Sequence, residues 1–472
     1  MKKYLIYMLA AWAISSTACY KDKGNYNYHV PPVPVIKNLD TVYSAIVGDS
    51  LIIQPTVTID GPDHKLGFAW KITVPEQMKE LDFYGPALRT VFGLNPSRYY
   101  ARLTIIDSAS GMKYFYDFAI DGKTVFAAGT TVLSEESGKS EISFIQPDGT
   151  VLPRLYSAIN DGEALPGAPQ QVVAMLNQYI APVAINSYWF FFSDGSDRGV
   201  QIDANTFKKI KTLRGNFFDP PASPIPGTFT CSPNGVLEGV IGGKLYVGAS
   251  QTWSGSPVYG MFGQAADGDY SMFKEGIFNS VMPYFVGYDI NRRQFLSFTN
   301  FGSPAYAGIG YPVTDTTAFD PRNARLDLWH LEQINNNNCY AFGQMNDSVY
   351  KLKFGVNFIG VTQFAPMEKK AFPRQDLVSV NTKWTSSPTE IFYFTAGAHI
   401  YRYNPLNEEV RGLTTDFGGK EVSMVKAIDN GNTLIAGVEG SVYLLDVSTG
   451  KFGDIKKKID GIPGTPVDAT TR

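Results

Sequence analysis

Residues able to support metal or nucleophilic chemistry are few in this chain of 472 residues. It has four histidines, and none has another histidine, a cysteine or paired carboxylates at the spacing of a metal site. Cys231 precedes Ser232-Pro233 and has no evident histidine partner. The sequence contains no Gly-x-Ser-x-Gly elbow and no phosphate-binding or dinucleotide-binding glycine motif. It therefore predicts no catalytic residue, no metal site and no cofactor.

Tryptophans in polar surroundings are better candidates for a function. Amphipathic rings bury a large area at a small entropic cost, and β-proteins often use them to bind carbohydrates or peptides. Trp253 lies in a polar stretch rich in Ser and Gly, Trp384 directly precedes a predicted strand, and Trp329 lies in a more strand-like segment. We predict these three as ligand-binding candidates, with packing between sheets as the alternative for each.

The composition indicates a folded protein dominated by β-structure. Hydrophobic residues make up 44% of the chain, charged residues 18% and aromatic residues 14%. Abundant aromatics, together with 45 glycines and 29 prolines, favour strands joined by turns. The formal net charge of −3 gives no positive footprint for nucleic acid, so no nucleic-acid partner is expected.

The first residues have the pattern of a secretion signal. Lys2 and Lys3 precede an apolar run, Tyr4–Ile14, that is shorter than the roughly 20 residues needed to span a bilayer. Small residues directly before Cys19 resemble the lipobox of bacterial lipoproteins, with Ser16 where most lipoboxes have Leu. The resemblance implies cleavage before Cys19 and acylation of that residue. The alternative is an ordinary signal peptide. A disulfide between the other two cysteines, Cys231 and Cys339, is left open.

We predict four segments along the chain. Residues 1–18 form the lipoprotein signal peptide, and residues 19–34 form a flexible tether that ends in a proline-rich run. Residues 35–122 show several short strands around one internal tryptophan, Trp70, which suits a β-sandwich of the immunoglobulin-like type. The clearest strand places Tyr99, Ala101, Leu103 and Ile105 on one face. Residues 123–472 form the fourth segment.

A repeated unit of three strands and tight turns runs through residues 123–472. Val349, Ile400 and Val442 hold equivalent positions in three copies and are 51 and 42 residues apart. This is the size of a four-stranded propeller blade, roughly 40 to 50 residues. The predicted fold is all-β, a sandwich followed by a β-propeller of about seven or eight blades; a stack of sandwiches is the alternative. The longest helix candidate is 167–180.

The complete layout resembles the PKD-like family lipoproteins of the Bacteroidota. The resemblance rests on the lipobox, the opening Cys19-Tyr-Lys-Asp-Lys-Gly-Asn-Tyr26, a strand pair similar to PKD domains and a long repetitive C-terminal region. Such proteins are typically encoded beside SusC/SusD-type outer-membrane uptake systems for glycans or peptides. The resemblance implies an accessory lipoprotein anchored in the outer membrane and facing the cell exterior, and it supplies no catalytic residues.

The sequence leaves three classes of function in play. The first is capture of a nutrient ligand, glycan or peptide, or assistance to a SusC/SusD-type complex. The second is a propeller glycosidase or lyase whose acidic residues converge from separate blades, which spacing along the chain does not reveal. The third is a purely structural assembly module. The scarcity of catalytic motifs beside a membrane anchor favours capture.

Overall fold

The computed structural model describes residues 32–61, 64–180, 183–249, 255–278, 285–298, 314, 316–357 and 363–472. Its contacts divide the chain into two compact units, Met1–Gly122 and Lys123–Arg472. Strands dominate both units, and the one α-helix in these ranges, α1 at Leu155–Ile159, has five residues. None of the helices in the described ranges is long and apolar enough to cross a lipid bilayer. Cys19 lies outside these ranges.

The described residues of the N-terminal unit form nine strands in three antiparallel sheets. A five-stranded sheet has the order β2-β9-β8-β5-β6, and two smaller sheets pair β1 with β4 and β3 with β7. The strands are β1 Val35–Lys37, β2 Val42–Ile46, β3 Ser50–Ile53, β4 Thr56–Thr58, β5 Leu66–Val74, β6 Lys79–Tyr84, β7 Leu88–Val91, β8 Arg98–Asp107 and β9 Lys113–Lys123.

Alternation along β8 builds the core of this unit. Tyr99, Ala101, Leu103 and Ile105 are all buried and pack in one cluster with Trp70 of β5. The residues between them lie on the opposite face, as the period of two requires. The indole of Trp70 donates a hydrogen bond to the backbone oxygen of Gly85 at 2.9 Å. Trp70 is therefore a core residue, and its polar atom is satisfied inside the fold.

Twenty-six strands lie in the described residues of the second unit. They are β10 Thr130–Glu136, β11 Lys139–Ile145, β12 Val151–Leu152, β13 Pro169–Met175, β14 Ser187–Phe192, β15 Gly199–Asp203, β16 Lys209–Thr212, β17 Pro226–Cys231, β18 Leu237–Ile241, β19 Lys244–Val247, β20 Ile277–Phe278, β21 Phe285–Asp289, β22 Gln294–Phe298, β23 Asp327–Asn335, β24 Asn338–Met345, β25 Ser348–Asn357, β26 Gln363–Ala371, β27 Trp384–Ser386, β28 Phe392–Ala396, β29 His399–Asn404, β30 Glu409–Gly412, β31 Met424–Ile428, β32 Thr433–Val438, β33 Ser441–Asp446, β34 Asp454–Asp460 and β35 Thr465–Thr471.

Within the described residues these strands form seven antiparallel sheets, each a simple up-and-down series. The first sheet has the order β12-β11-β10-β35, so the last strand of the chain completes a sheet that the first strands began. The other sheets follow in chain order: β13–β16, β17–β19, β20–β22, β23–β26, β27–β30 and β31–β34. Val349, Ile400 and Val442, the equivalent positions of the sequence repeat, lie in the third strands β25, β29 and β33. The arrangement is all-β and propeller-like.

Each sheet packs its two faces against different neighbours. In β14 all six residues are buried: Tyr188, Phe190 and Phe192 pack toward the first sheet, whereas Trp189 and Phe191 pack toward the third. Successive side chains of a strand point to opposite faces of the sheet. Because both faces are covered here, the strand reads as an almost continuous apolar run. Another cluster joins Ile435 and Val442 of the last sheet to Val132 of the first, so apolar packing also links the two ends of the series.

The helix expected over residues 167–180 is absent, because β13 occupies Pro169–Met175. The β-branched pair Val172 and Val173 is buried on both sides of the strand, in two different clusters. Covering both faces removed the alternation of polar and apolar residues, so the period of a strand was not visible in the sequence.

Candidate functional site

A cavity of about 610 Å³ lies where the first strands of the sheets approach one another. Six of the seven sheets line it with the strand at one edge of the sheet, which we call the inner strand: β13, β17, β23, β27, β31 and β35. The fourth sheet adds residues just before β20. These segments are 169–171, 226–228, 274–275, 329–332, 380–385, 424–426 and 467–468. The side chains that face the cavity thus come from residues almost 300 positions apart in sequence. Concave sites of this size with convergent polar groups are typical of ligand binding.

Four of the lining strands depart from regular pairing at the cavity. The register of β13 shifts between Pro169 and Gln171, and that of β17 shifts between Pro226 and Phe229. Strand β23 shifts at Trp329, and β35 shifts between Pro466 and Asp468. A bulge adds a residue to one strand and turns the local side chains, and bulges are common next to functional sites. Trp329 is such an added residue, so it lines the cavity beside His330 and Glu332.

His330 is held between two carboxylates in the cavity wall. Its Nδ1 lies 3.1 Å from Oε2 of Glu275, and its Nε2 lies 2.7 Å from Oε2 of Glu332. The same Oε2 of Glu275 accepts a hydrogen bond from the backbone nitrogen of Leu331 at 2.6 Å, and Oε1 of Glu332 accepts one from Ser386 at 2.8 Å. The three charged side chains are mostly buried. The imidazole is therefore fixed in position and orientation.

The carboxylates hold this histidine in its protonated form. Burial, the largest influence, acts to lower the pKa of His330, but the charges and hydrogen bonds of Glu275 and Glu332 outweigh it and raise the pKa to about 9. Burial acts in the opposite sense on Glu275, yet the charge of His330 leaves the pKa of that carboxyl lowered. At neutral pH the cluster is an imidazolium between two carboxylates, and both ring nitrogens are engaged as donors. Such a ring has no free lone pair for a metal ion.

The structure brings two of the predicted tryptophans, Trp329 and Trp384, to this cavity. The Trp384 ring stacks on Phe342 at 4.6 Å and lies parallel to the His330 ring at 5.7 Å, with 5° between the planes. Both tryptophans are half-buried and pack against the cluster between the fifth and sixth sheets. Each tryptophan therefore packs between two sheets and also exposes part of its side chain to the cavity. The third candidate, Trp253, lies outside the described residues.

Lysines supply the positive charge at the rim. Lys426 pairs with Asp468 at 2.9 Å. Lys383 makes no side-chain hydrogen bond or ion pair with any described residue, although it lines the cavity beside Trp384. Water reaches much of this side chain, yet the surrounding protein is close enough to lower its pKa, through partial desolvation first and then through the charge of Lys274. Its ammonium is available for an acceptor on a ligand.

The remaining chemical candidates lie apart from this cavity. Cys231 and Cys339 are free thiols, and burial raises the pKa of Cys339 to about 12. The oxygen-rich segment 193–198 connects β14 to β15 as a hairpin. In the described parts of the chain, no group of three or more His, Cys, Asp or Glu side chains is arranged to hold a metal ion.

The sequence contained one signal for the His330 cluster that motif searching passed over. His330 and Glu332 are two residues apart, and residues at that spacing lie on the same face of a strand. Glu275 could not be found in this way, because it comes from the sheet before and is 55 residues upstream. Only the packing of the fourth sheet beside the fifth brings it to the imidazole.

One sequence family matches part of the chain. Residues 19–169 match the model of the PKD-like family, a span that covers the N-terminal unit and continues through the first three strands of the second unit to the start of β13. No curated protein matches the chain by sequence.

Several solved structures are similar to this chain at low identity. A quinonprotein alcohol dehydrogenase-like protein from Bacteroides thetaiotaomicron is 12% identical with a TM-score of 0.43, over 94% of this chain and 100% of that one. A periplasmic gluconolactonase from Pseudomonas aeruginosa is 10% identical with a TM-score of 0.43, over 73% and 98%. A functionally unknown protein from Desulfotomaculum acetoxidans is 9% identical with a TM-score of 0.44, over 73% and 99%. These likenesses do not bear on activity.

Proposed function

We propose that the second unit is a seven-bladed β-propeller that captures a nutrient-derived glycan or peptide in its central cavity. The observation that carries the proposal is the convergence of Trp329, Trp384, Lys383 and the His330 cluster from separate sheets on one cavity. The blade count is supported by seven sheets in the described residues and by the shared first sheet, in which β35 pairs with β10. In this proposal β35 closes the ring of blades by pairing with β10.

The chemistry of the cavity suits recognition by stacking and hydrogen bonding. Tryptophan faces and edges provide apolar area for a sugar ring or a peptide side chain, and fixed polar groups set its orientation. The carboxylates of Glu275 and Glu332 are both occupied by His330, which leaves neither free as a base. This supports capture over conversion. Lys383 adds one unpaired ammonium for a carboxylate or hydroxyl group of the ligand.

We further propose that the protein is held at the outer membrane by acylated Cys19 and works beside a SusC/SusD-type transporter. The support is the lipobox-like sequence before Cys19 and the match of residues 19–169 to the PKD-like family. In this proposal the tether from Cys19 to Pro34 keeps both folded units close to the bilayer, on its exterior face. The ligand captured by the propeller would reach the transporter over a short distance.

The test is calorimetry of the mature chain against pools of glycans and of peptides, with product analysis of the same mixtures. We expect binding without turnover. Trp329→Ala and Lys383→Met should each weaken binding by more than about 1 kcal/mol, as hot-spot residues do. The matched control is Lys208→Met, because Lys208 is an exposed lysine that does not line the cavity.

Two other results would replace the proposal. Release of shorter products, lost in Glu275→Gln or Glu332→Gln, would assign the cavity to a glycosidase or lyase. Absence of binding to every pool, together with normal co-purification with a transporter, would assign the protein to structural assembly. Equal affinity of the Trp329 and Lys208 variants would place the binding site elsewhere on the chain.

A further inference from the structure

A second cavity lies near the opposite ends of the same inner strands. Strands β17 and β23 give their first residues to the central cavity, and they give Thr230, Cys231 and residues 333–335 to the second one. Its volume is about 810 Å³. The hairpin between β23 and β24 and Gln178 complete the wall. The two cavities share no lining residue.

Carboxamides dominate the wall of this second cavity. Gln178, Gln333 and Asn335–Asn338 line it, together with the hydroxyl residues Thr230 and Ser232. Gln333 is fixed, since its amide receives a hydrogen bond from the nitrogen of Phe278 at 2.8 Å and donates one to the Phe278 oxygen at 2.9 Å. Rows of donors and acceptors of this kind suit a ligand with many hydroxyl or amide groups.

One acidic side chain, Glu238 of β18, faces this wall from within the fold. The residue is 7% exposed, and its carboxyl forms no hydrogen bond or ion pair with any described residue. The described lining of the cavity contains no lysine, arginine or histidine. A buried carboxyl without a partner is costly in its charged form, so such a group normally has a compensating contact.

The protein surroundings of Glu238 favour its neutral form at pH 7. Burial raises the pKa of Glu238 to about 8. The ionisable neighbour of Glu238 on the paired strand β17 is Cys231. The pKa of Cys231 is itself raised, by burial first and also by the charge of Glu238. A cation at this position would supply the interaction that the protein does not, and it would draw the proton off the carboxyl.

We infer that the second cavity binds a small polyhydroxyl ligand that carries a protonated amine, with the ammonium paired to the Glu238 carboxylate and the hydroxyl groups bonded to the carboxamides. An amino sugar or an amino alcohol has this chemistry. The site is separate from the central cavity and does not depend on the proposed function of that cavity. One proton leaves Glu238 for each ligand bound below the pKa of the free carboxyl.

The experiment is calorimetric titration of the mature chain with 1-amino-1-deoxysorbitol and with sorbitol, its neutral counterpart. We expect binding of the amine alone. Its affinity should rise about tenfold for each pH unit up to about 8, and at pH 7 the heat should depend on the buffer because a proton is released. Glu238→Gln should weaken binding roughly 30-fold or more and abolish proton release. Glu439→Gln, at an exposed glutamate, is the matched control.

Three results would overturn the inference: equal affinity for the amine and for sorbitol, unchanged affinity in Glu238→Gln, or no binding of the amine. Circular dichroism and thermal unfolding of Glu238→Gln separate a lost site from a lost fold, and replacement of a buried neutral acid by an amide of the same shape should preserve the fold. Trp329→Ala should leave amine binding unchanged. A variant that loses both ligands would show that the cavities are coupled, contrary to the inference.

Discussion

Asp468 accepts a hydrogen bond from the backbone nitrogen of Val172 at 2.9 Å, although 296 residues separate them. The contact joins β35, the last strand of the chain, to β13, the first strand of the second sheet. Gln171 continues the pattern, since its carboxamide bonds both the nitrogen and the oxygen of Phe229 on β17 at 2.9 Å. Among the described residues β13, β17 and β35 each lie at the edge of a sheet, and in these contacts side chains satisfy backbone groups at that edge.

Replacing Asp468 should therefore loosen the second unit. The carboxylate also pairs with Lys426 and accepts a hydrogen bond from the backbone nitrogen of Ala469. We expect Asp468→Ala to lower the free energy of unfolding by about 2 kcal/mol, because hydrogen bonds to charged groups are worth more than neutral ones. Urea unfolding followed by tryptophan fluorescence measures this. Asp454→Ala, which removes an exposed pair with Lys451, should cost about 0.5 kcal/mol or less. Equal losses would contradict the role in closure.

The imidazolium of His330 predicts a specific dependence on pH. Its pKa is raised from 6.5 to about 9, so the pairing stabilises the folded chain fully below pH 6.5 and that stabilisation is lost as pH rises through 9. The lowered pKa of Glu275 adds stability that is lost on acidification. In NMR titrations one of the four histidines should change protonation near pH 9. Glu332→Gln should move that transition downward. Titration of every histidine below pH 7.5 would refute the cluster.

Replacement by alanine should affect stability and ligand affinity differently at the two tryptophans of the central cavity. Trp384 contacts Phe342, Phe394 and Phe372, so Trp384→Ala should cost about 3 kcal/mol of stability as well as affinity. Trp329 is an added residue in a bulge, and we expect Trp329→Ala to lose more affinity than stability. Thermal unfolding beside ligand titration measures both. A severe loss of stability in Trp329→Ala would assign that residue to packing.

The acylation proposed for Cys19 predicts that the protein is found in the membrane fraction of the cell. Each buried CH₂ of an acyl chain contributes about 0.8 kcal/mol, so several chains make detachment rare. Cys19→Ala should release the protein from the membrane fraction, as immunoblots of separated fractions would show. A variant that stays with the outer membrane would disprove the anchor. Cys231→Ala is the control, because that thiol belongs to the second unit and should not alter fractionation.

The boundary between Gly122 and Lys123 predicts an independent second unit. Among the described residues each unit has apolar clusters of its own. A fragment from Thr124 to Arg472 should fold alone, with a β-type circular dichroism spectrum and one cooperative transition. The same fragment ending at Ile462 lacks β35, and it should fail to fold because the first sheet loses its inner strand. Folding of the shorter fragment would show that closure is dispensable.

The sequence by itself determined the β-character of the chain, the limits of many strands and the size of the repeated unit. Tight turns and apolar runs are local features, and the repeat that relates Val349, Ile400 and Val442 records one supersecondary structure built several times. It also marked Trp384, just before a predicted strand, and Trp329, in a more strand-like segment, as ligand-binding candidates. It misassigned β13, because burial of both faces hid the alternation that identifies a strand.

Tertiary structure alone decided which residues meet. Glu275 reaches His330 because adjacent sheets place their inner strands side by side, and no local pattern encodes that contact between residues 55 positions apart. Nothing in the sequence distinguishes Glu238 from other charged residues, yet packing of the third sheet buries it with no hydrogen-bond or ion-pair partner among the described residues. The pairing of β35 with β10 likewise joins strands from the two ends of the second unit. The preference of a segment for strand or turn depends on neighbouring residues in the sequence, whereas the chemistry of both cavities arises from contacts between strands that are distant in the sequence.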